Sequence, residues 1–103
     1  MKKKHATAAE KAHLQRLAEL GCIVCLEQFG VASPAEIHHP RNGQGVGQRA
    51  SHWEALPLCP THHRHGGYGV AIHAGQREWE RRFGSERELL GKVRQRLGLE
   101  DAA

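Results

Sequence analysis

With 103 residues, 39% of them hydrophobic, the chain is long enough for one domain with a thin core, and such domains often need a metal ion or disulfides. Three cysteines exclude a closed set of disulfides, and no stretch is apolar enough for a signal peptide or membrane span, so we expect a cytoplasmic, metal-binding protein without membrane contact. Fifteen Lys and Arg against eleven Asp and Glu give a net charge of +4, which favours a polyanionic partner.

The predicted elements begin after a basic N-terminus, residues 1–6, which we expect to be disordered. Residues 7–100 form the single predicted domain. A helix is expected over about 8–20, because Thr7 and Glu10 fit a capping box and a glycine follows Leu20. The segment 22–25 is then predicted to be a tight turn that places two thiols on the same side.

Two short strands and two helices are predicted in the rest of the domain. The strands cover 35–39 and 55–58, and the glycine-rich segment 41–51 between them is predicted to be a loop. A helix is expected over about 74–83, and a last helix follows over 85–97, opened by a second capping box. The fold class predicted is therefore α+β, with an N-terminal helix, two strands and two C-terminal helices.

The cysteines indicate a structural zinc site. Cys22 and Cys25 are separated by two residues, as are Cys59 and His62, and this spacing lets both side chains of one turn reach a single ion. Together the pairs supply a tetrahedral set that uses every cysteine in the chain. Free buried thiols, or a redox-active Cys22–Cys25 pair, are the alternatives, but neither explains the histidine that follows Cys59 at the same spacing.

The remaining histidines indicate a second metal site, since seven of the nine histidines fall between residues 38 and 73. His38 and His39 are adjacent on a predicted strand, so their side chains point to opposite faces. His38, His63 and His73 can surround one ion and leave positions open for a phosphate oxygen and water, with His65 as the rival of His73. His39 would then face the approaching water.

Three motifs carry a resemblance to a known class of nucleases. In order, they are Cys22-x₂-Cys25, Glu36-Ile37-His38-His39-Pro40 and Leu56-Pro57-Leu58-Cys59-x₂-His62-His63. This pattern resembles the HNH endonucleases of the His-Me finger, or ββα-metal, group. Over about residues 21–97 the chain is more similar to the phage Ref-type recombination-enhancement nucleases, which act with RecA. That closer resemblance adds His52-Trp53, Ala71-Ile72-His73, Phe83-Gly84 and Glu88-Leu89-Leu90.

The resemblance implies a metal-dependent DNA endonuclease with a ββα-metal core. His39 would be the general base that deprotonates the attacking water, and His38 and His63 would bind a divalent cation such as Mg²⁺ or Zn²⁺, in addition to the structural Zn²⁺. Hydrolysis would leave a 5′-phosphate. The implied partners are DNA and the RecA filament, and the implied location is the cytoplasm of a bacterial host cell, as a phage or prophage protein.

The chain departs from the HNH pattern at two places. The window before the second cysteine knuckle lacks the usual Asn, so either His52 or a backbone carbonyl orients His39, and we favour His52. A histidine replaces the usual fourth cysteine, which leaves open which of His62 and His63 serves which ion. The missing Asn is the main argument for the alternative function, a non-catalytic zinc-stabilised DNA-binding module.

The predicted DNA contacts lie in the glycine-rich loop. Arg41 and Arg49 are suited to phosphate, because arginine binds it bidentately and the neighbouring glycines permit a close approach. A solvated connector without function is the alternative for this segment. No recognition helix is evident, so we expect weak sequence specificity and binding that depends steeply on salt.

Overall fold

The computed structural model describes residues 6–40 and 51–99. Apart from Ala6, the predicted disordered N-terminus lies outside the described residues, and so do the predicted DNA-binding residues Arg41 and Arg49. The described part contains four α-helices and a two-stranded sheet, which confirms the α+β class. None of its helices combines the length and the apolar character that crossing a membrane requires.

Helix α1, Ala8–Leu20, has the ends that the sequence predicts. The hydroxyl of Thr7 accepts a hydrogen bond from the backbone N–H of Glu10 at 3.0 Å, and the Glu10 carboxylate accepts one from the backbone N–H of Thr7 at 2.8 Å. Gly21 follows with a φ of 91°, a conformation that suits glycine. The helix and its C-cap Gly21 therefore end directly before Cys22, the first residue of the first cysteine knuckle.

Helix α2, Ile23–Phe29, replaces the tight turn predicted for residues 22–25. Cys22 is the N-cap residue, and its sulfur accepts a hydrogen bond from the backbone N–H of Cys25. Gly30 ends the helix in the left-handed conformation, with a φ of 67°. The prediction was wrong about the extent of this element because a two-residue spacer fits the first turn of a helix as well as an isolated turn.

The sheet pairs β1, Glu36–His38, with β2, Leu56–Leu58, in antiparallel register. Both strands are shorter than predicted. His38 lies opposite Leu56, and the central residue Ile37 lies opposite Pro57. A proline is tolerated there because each strand of a two-stranded sheet is an edge strand with one unpaired side.

Three short helical segments and two helices complete the described chain. A 3₁₀ turn, His52–Glu54, precedes β2, and a π-helical turn, Thr61–His65, follows it. Helix α3, Gln76–Phe83, begins two residues later than predicted, because Ile72–Ala74 forms a separate 3₁₀ turn. Helix α4, Glu86–Arg96, opens with the predicted capping box of Ser85 and Glu88.

The hydrophobic core joins all of these elements around β2. Strand β2 is buried on both faces, and α1, α2, α4 and the π-helical turn pack against it. The largest buried side chains of this core are Trp79, Leu17, Ile23, Leu56, Leu58, Val24 and Val93. The packing of β2 therefore fixes the position of Cys59 and of the π-helical turn that follows this strand.

Candidate metal centres and active site

Cys22, Cys25, Cys59 and His62, here called the cysteine cluster, meet as the sequence predicts. Their ligand atoms all lie within 4.8 Å of one another. The separations between His62 Nδ1 and the three sulfurs are 3.2, 3.6 and 3.7 Å, and the Cys25 and Cys59 sulfurs are 3.9 Å apart. Tetrahedral zinc with bonds of about 2.0–2.3 Å places its ligands about 3.5–3.8 Å apart. The cluster could therefore hold a metal ion such as zinc.

Both halves of the cysteine cluster are built in the same way. Each knuckle places a cysteine just before a helical turn, Cys22 before α2 and Cys59 before the π-helical turn. The Cys59 sulfur accepts a hydrogen bond from the backbone N–H of His62 at 3.5 Å, the same distance as in the first knuckle. Such N–H donors orient a thiolate and stabilise its charge.

The cysteine cluster is largely shielded from solvent, with Cys25 its one partly exposed member. Cys22 has no exposed surface, and Cys59 and His62 are buried. The ring of Phe83 packs edge-on against His62 with centroids 5.2 Å apart, and Trp79 packs behind Phe83. In the absence of a cation, burial raises the pKa of the Cys22 thiol to about 12, despite hydrogen bonds to the backbone that lower it.

His38, His63 and His73, here called the histidine cluster, form a second group whose ligand atoms also lie within 4.8 Å of one another. The Nε2 atoms of His63 and His73 are 3.0 Å apart, and the His38 ring lies edge-on to both. Three imidazoles are the donor set of catalytic metal sites that keep further positions for water and substrate. His38 is buried whereas His73 is exposed, so the cluster is open on one side. The donor set fits a divalent cation.

The π-helical turn separates His62 from His63. These neighbours in sequence belong to different clusters, with His62 Nδ1 beside the sulfurs and His63 Nε2 beside His73. The structure thus brings His62 to the sulfurs and His63 to His73, a choice that the sequence left open. His65, the rival of His73, is exposed and belongs to neither cluster among the described residues.

Two glutamates outside the predicted set of ligands contact the histidine cluster. Glu36 Oε1 lies 2.7 Å from His63 Nδ1, and Glu86 Oε2 lies 2.6 Å from His38 Nε2. A carboxylate on one ring nitrogen, leaving the other for metal, is the usual outer shell of a metal-binding histidine. Glu36 had a signal in the sequence, because it precedes His38 by two residues and so shares its face of the strand. Glu86, which is 48 residues from His38, had none.

Arg64 holds the Glu36 carboxylate in place. Its guanidinium donates from Nε to Oε1 at 2.9 Å and reaches the second oxygen through Nη2. These hydrogen bonds, followed by the one from His63, lower the pKa of Glu36 from the ordinary 4.5 to about 2. The carboxylate therefore stays ionised at neutral pH, and it can accept a hydrogen bond from the Nδ1–H group of His63.

His39 and His52 also come together. His39 Nε2 lies 2.9 Å from His52 Nδ1, and the two rings meet edge-on with centroids 5.0 Å apart. His39 directly follows β1, and His52 is the first residue of the 3₁₀ turn before β2, a turn that Ser51 and Glu54 cap. The pair therefore depends on the hairpin that also carries His38.

A family model described as "Recombination enhancement, RecA-dependent nuclease" matches residues 6–98. The chain belongs to this family. No curated protein matches the chain. The family name implies nuclease activity in recombination, so the match supports the resemblance to RecA-dependent nucleases that the sequence motifs indicated.

For a RecA-dependent nuclease, the described structure contains two kinds of candidate site. The cysteine cluster is closed and has donors suited to a structural ion. The hairpin of β1 and β2 contributes His38 to the histidine cluster and also carries the His39–His52 pair, and the cluster is open to solvent at His73. Every predicted catalytic or metal-binding residue falls in one of these groups.

Proposed function

We propose that this RecA-dependent nuclease is an HNH endonuclease of the ββα-metal type, which hydrolyses DNA phosphodiester bonds with His39 as the general base. The observation that carries the proposal is the hairpin of β1 and β2. Its first strand ends at His38, whose ring belongs to a cluster of three imidazoles, and the next residue, His39, is paired with His52. A base beside a cation site is the arrangement that metal-assisted phosphodiester hydrolysis requires.

His52 has the role of holding the base. When His39 donates its Nε2 proton to His52 Nδ1, the lone pair of the His39 ring is on Nδ1, and this nitrogen takes the proton of the attacking water. The reverse direction, donation by His52, would use the lone pair of His39 and leave no base. His52 thereby takes the place of the Asn that most HNH sequences have before the second knuckle.

His38, His63 and His73 would hold a divalent cation, such as Mg²⁺ or Zn²⁺, in the histidine cluster. When bound, such a cation stabilises negative charge on the phosphate and on the departing 3′ oxygen, and the product retains a 5′-phosphate. The cysteine cluster would hold a structural Zn²⁺. Arg41 and Arg49 would contact the DNA backbone, and a RecA filament would be the protein partner, in a phage or prophage context.

The alternative, a DNA-binding module without catalysis, accounts for only one of the two clusters. A module stabilised by zinc needs the closed cysteine cluster alone. It gives no reason for three further histidines, two of them with carboxylate partners, nor for the His39–His52 contact. The enzymatic function uses all of these residues.

The test is plasmid cleavage by His39→Ala, assayed with and without RecA-coated DNA. We expect cleavage to fall by about 10²–10⁴-fold, the usual contribution of a general base, while the zinc content and circular dichroism spectrum stay unchanged. His65→Ala, which removes an exposed histidine outside both clusters, is the matched control and should cleave like the unmodified protein. Normal cleavage by His39→Ala would reject His39 as the base.

A further inference from the structure

Glu86 is a buried carboxylate that contacts the histidine cluster. It is the first residue of α4, and only 5% of its surface is exposed. Its Oε2 lies 2.6 Å from His38 Nε2, and its Oε1 accepts a hydrogen bond from the Gln76 amide at 2.9 Å. Burying a carboxylate costs free energy unless its oxygens have good partners, so these contacts decide where it sits.

Helix α4 does not need Glu86 for its own stability. A carboxylate in a first helical turn is favourable, but Glu88 already closes the capping box with Ser85, with hydrogen bonds of 2.9 and 3.0 Å. A glutamate at position 86 would serve the helix equally well in solvent. Its burial against His38 therefore calls for another explanation.

We propose that Glu86 is a positioning residue of the metal centre, which accepts the Nε2 proton of His38 and so leaves Nδ1 as the nitrogen that binds the cation. This inference rests on the proposed function, because it assigns how His38 serves that centre. A carboxylate can only accept, so the proton of this contact belongs to the histidine. Gln76 keeps the carboxylate oriented by donating to its other oxygen.

The contact of Glu36 with His63 assigns the opposite tautomer to His63, with the proton on Nδ1. Glu36 accepts from His63 Nδ1, which leaves Nε2, and this atom is the one that lies 3.0 Å from His73 Nε2. The cluster thus offers Nδ1 of His38 and Nε2 of His63. Each tautomer is set by a different glutamate, one on the hairpin and one on the last helix. The C-terminal helices therefore contribute to metal binding and not only to the core.

The experiment compares Glu86→Gln with Glu88→Gln. Both variants neutralise a carboxylate in the first turn of α4, and the second keeps its capping box because glutamine also fits that position. Each protein is prepared with one equivalent of Zn²⁺, and a further equivalent is added in a calorimeter. We expect the second ion to bind about 10–100-fold more weakly to Glu86→Gln, the usual cost of losing an outer-shell partner, and normally to Glu88→Gln.

Long-range ¹H–¹⁵N spectra of the His38 ring provide a readout that does not depend on cleavage. With one zinc bound, the unmodified protein should show His38 protonated at Nε2, and Glu86→Gln should show a mixture of both tautomers. A merely structural role for Glu86 would lower the melting temperature without changing the tautomer. If Glu86→Gln does not fold, Gln76→Met takes its place, with a smaller loss of affinity expected in the same direction.

The outcomes separate this inference from the proposed function. If the unmodified protein binds two ions and cleaves DNA, while Glu86→Gln or its substitute keeps both the affinity and the tautomer, the positioning role is overturned and the nuclease mechanism stands. If the unmodified protein binds only one ion, the metal-dependent mechanism fails, and the inference about Glu86 fails with it.

Discussion

The cysteine cluster and the histidine cluster take successive residues of one π-helical turn, yet they differ in almost every physical property. The cysteine cluster is buried under Phe83 and draws its ligands from two knuckles with identical spacing. The histidine cluster is open at His73, and carboxylates contact two of its rings. Only the second combines donors with access for a substrate.

Under the proposed function, the cysteine cluster serves the folding of the domain and the histidine cluster serves its chemistry. Thiolates favour zinc and hold it in a closed tetrahedron, which suits a core too thin to be stable alone. Imidazoles with carboxylate partners accept several divalent cations and can leave positions open. A π-helical turn makes this separation possible, because neighbouring residues on a helix project in different directions.

Removal of a cysteine ligand should have the largest effect on stability. Cys59→Ala leaves the cysteine cluster incomplete, and structural zinc supplies about 10–16 kcal/mol in small zinc-dependent domains, which is comparable to the about 5–15 kcal/mol that typically stabilises a whole domain. We expect the variant to lose its zinc and to be unfolded at 25 °C. Circular dichroism and elemental analysis measure both properties.

The matching control is the unmodified protein treated with a strong chelator and then resupplied with Zn²⁺. It should unfold when the chelator removes its zinc, and it should refold when Zn²⁺ is added back. A Cys59→Ala variant that still melted cooperatively, close to the melting temperature of the unmodified protein, would contradict a structural role for the cysteine cluster.

Removal of a histidine ligand should have the converse effect. His63→Ala should keep the fold and one tightly bound zinc, because its ring belongs to the open cluster. It should bind the second ion more weakly by more than the roughly 10–100-fold that an outer-shell partner contributes, and lose cleavage accordingly. Calorimetry on the zinc-loaded protein measures the affinity. The control is again His65→Ala, from the same turn, and undiminished binding of a second ion by His63→Ala would show that the cluster is not its site.

Substitution of Glu78 should have the smallest effect on stability, and it serves as a reference for the Cys59 and His63 variants. It lies on α3, outside both clusters, and hydrogen bonds from Arg81 and then Arg82 lower its pKa from the ordinary 4.5 to about 2. A lowered carboxyl pKa stabilises the folded state above pH 4.5, and this contribution is lost only as the pH falls toward 2.

Glu78→Gln should therefore lower the melting temperature by no more than a few degrees at pH 7, and by less at about pH 4, where the pH has fallen below the unfolded-state pKa of the carboxyl. The measurement is a pair of thermal scans with excess Zn²⁺ in both buffers. A Glu78 carboxyl that kept its ordinary pKa in the folded state would contribute equally at every pH, so a difference that was the same in both buffers would contradict the lowered pKa of Glu78.

Local signals in the sequence account for much of the fold. The capping boxes of Thr7 and Ser85 define the starts of α1 and α4, because each satisfies backbone groups within four consecutive residues. Helix α2 was missed, since its seven residues carry the metal-ligand spacing and too little periodicity to distinguish a helix from a turn. The strands were placed correctly but drawn too long, as their ends depend on the partner strand.

The sequence by itself determined the inventory of ligands, because fixed spacing within one turn limits which side chains can share an ion. It also placed His39 beside His38. Only the tertiary structure decided that His62 and His63 serve different clusters, that His52 reaches His39, and that Glu86 on the last helix reaches His38. Those choices depend on side-chain direction and on burial between elements distant in the chain, and neither property is encoded in a short stretch of residues.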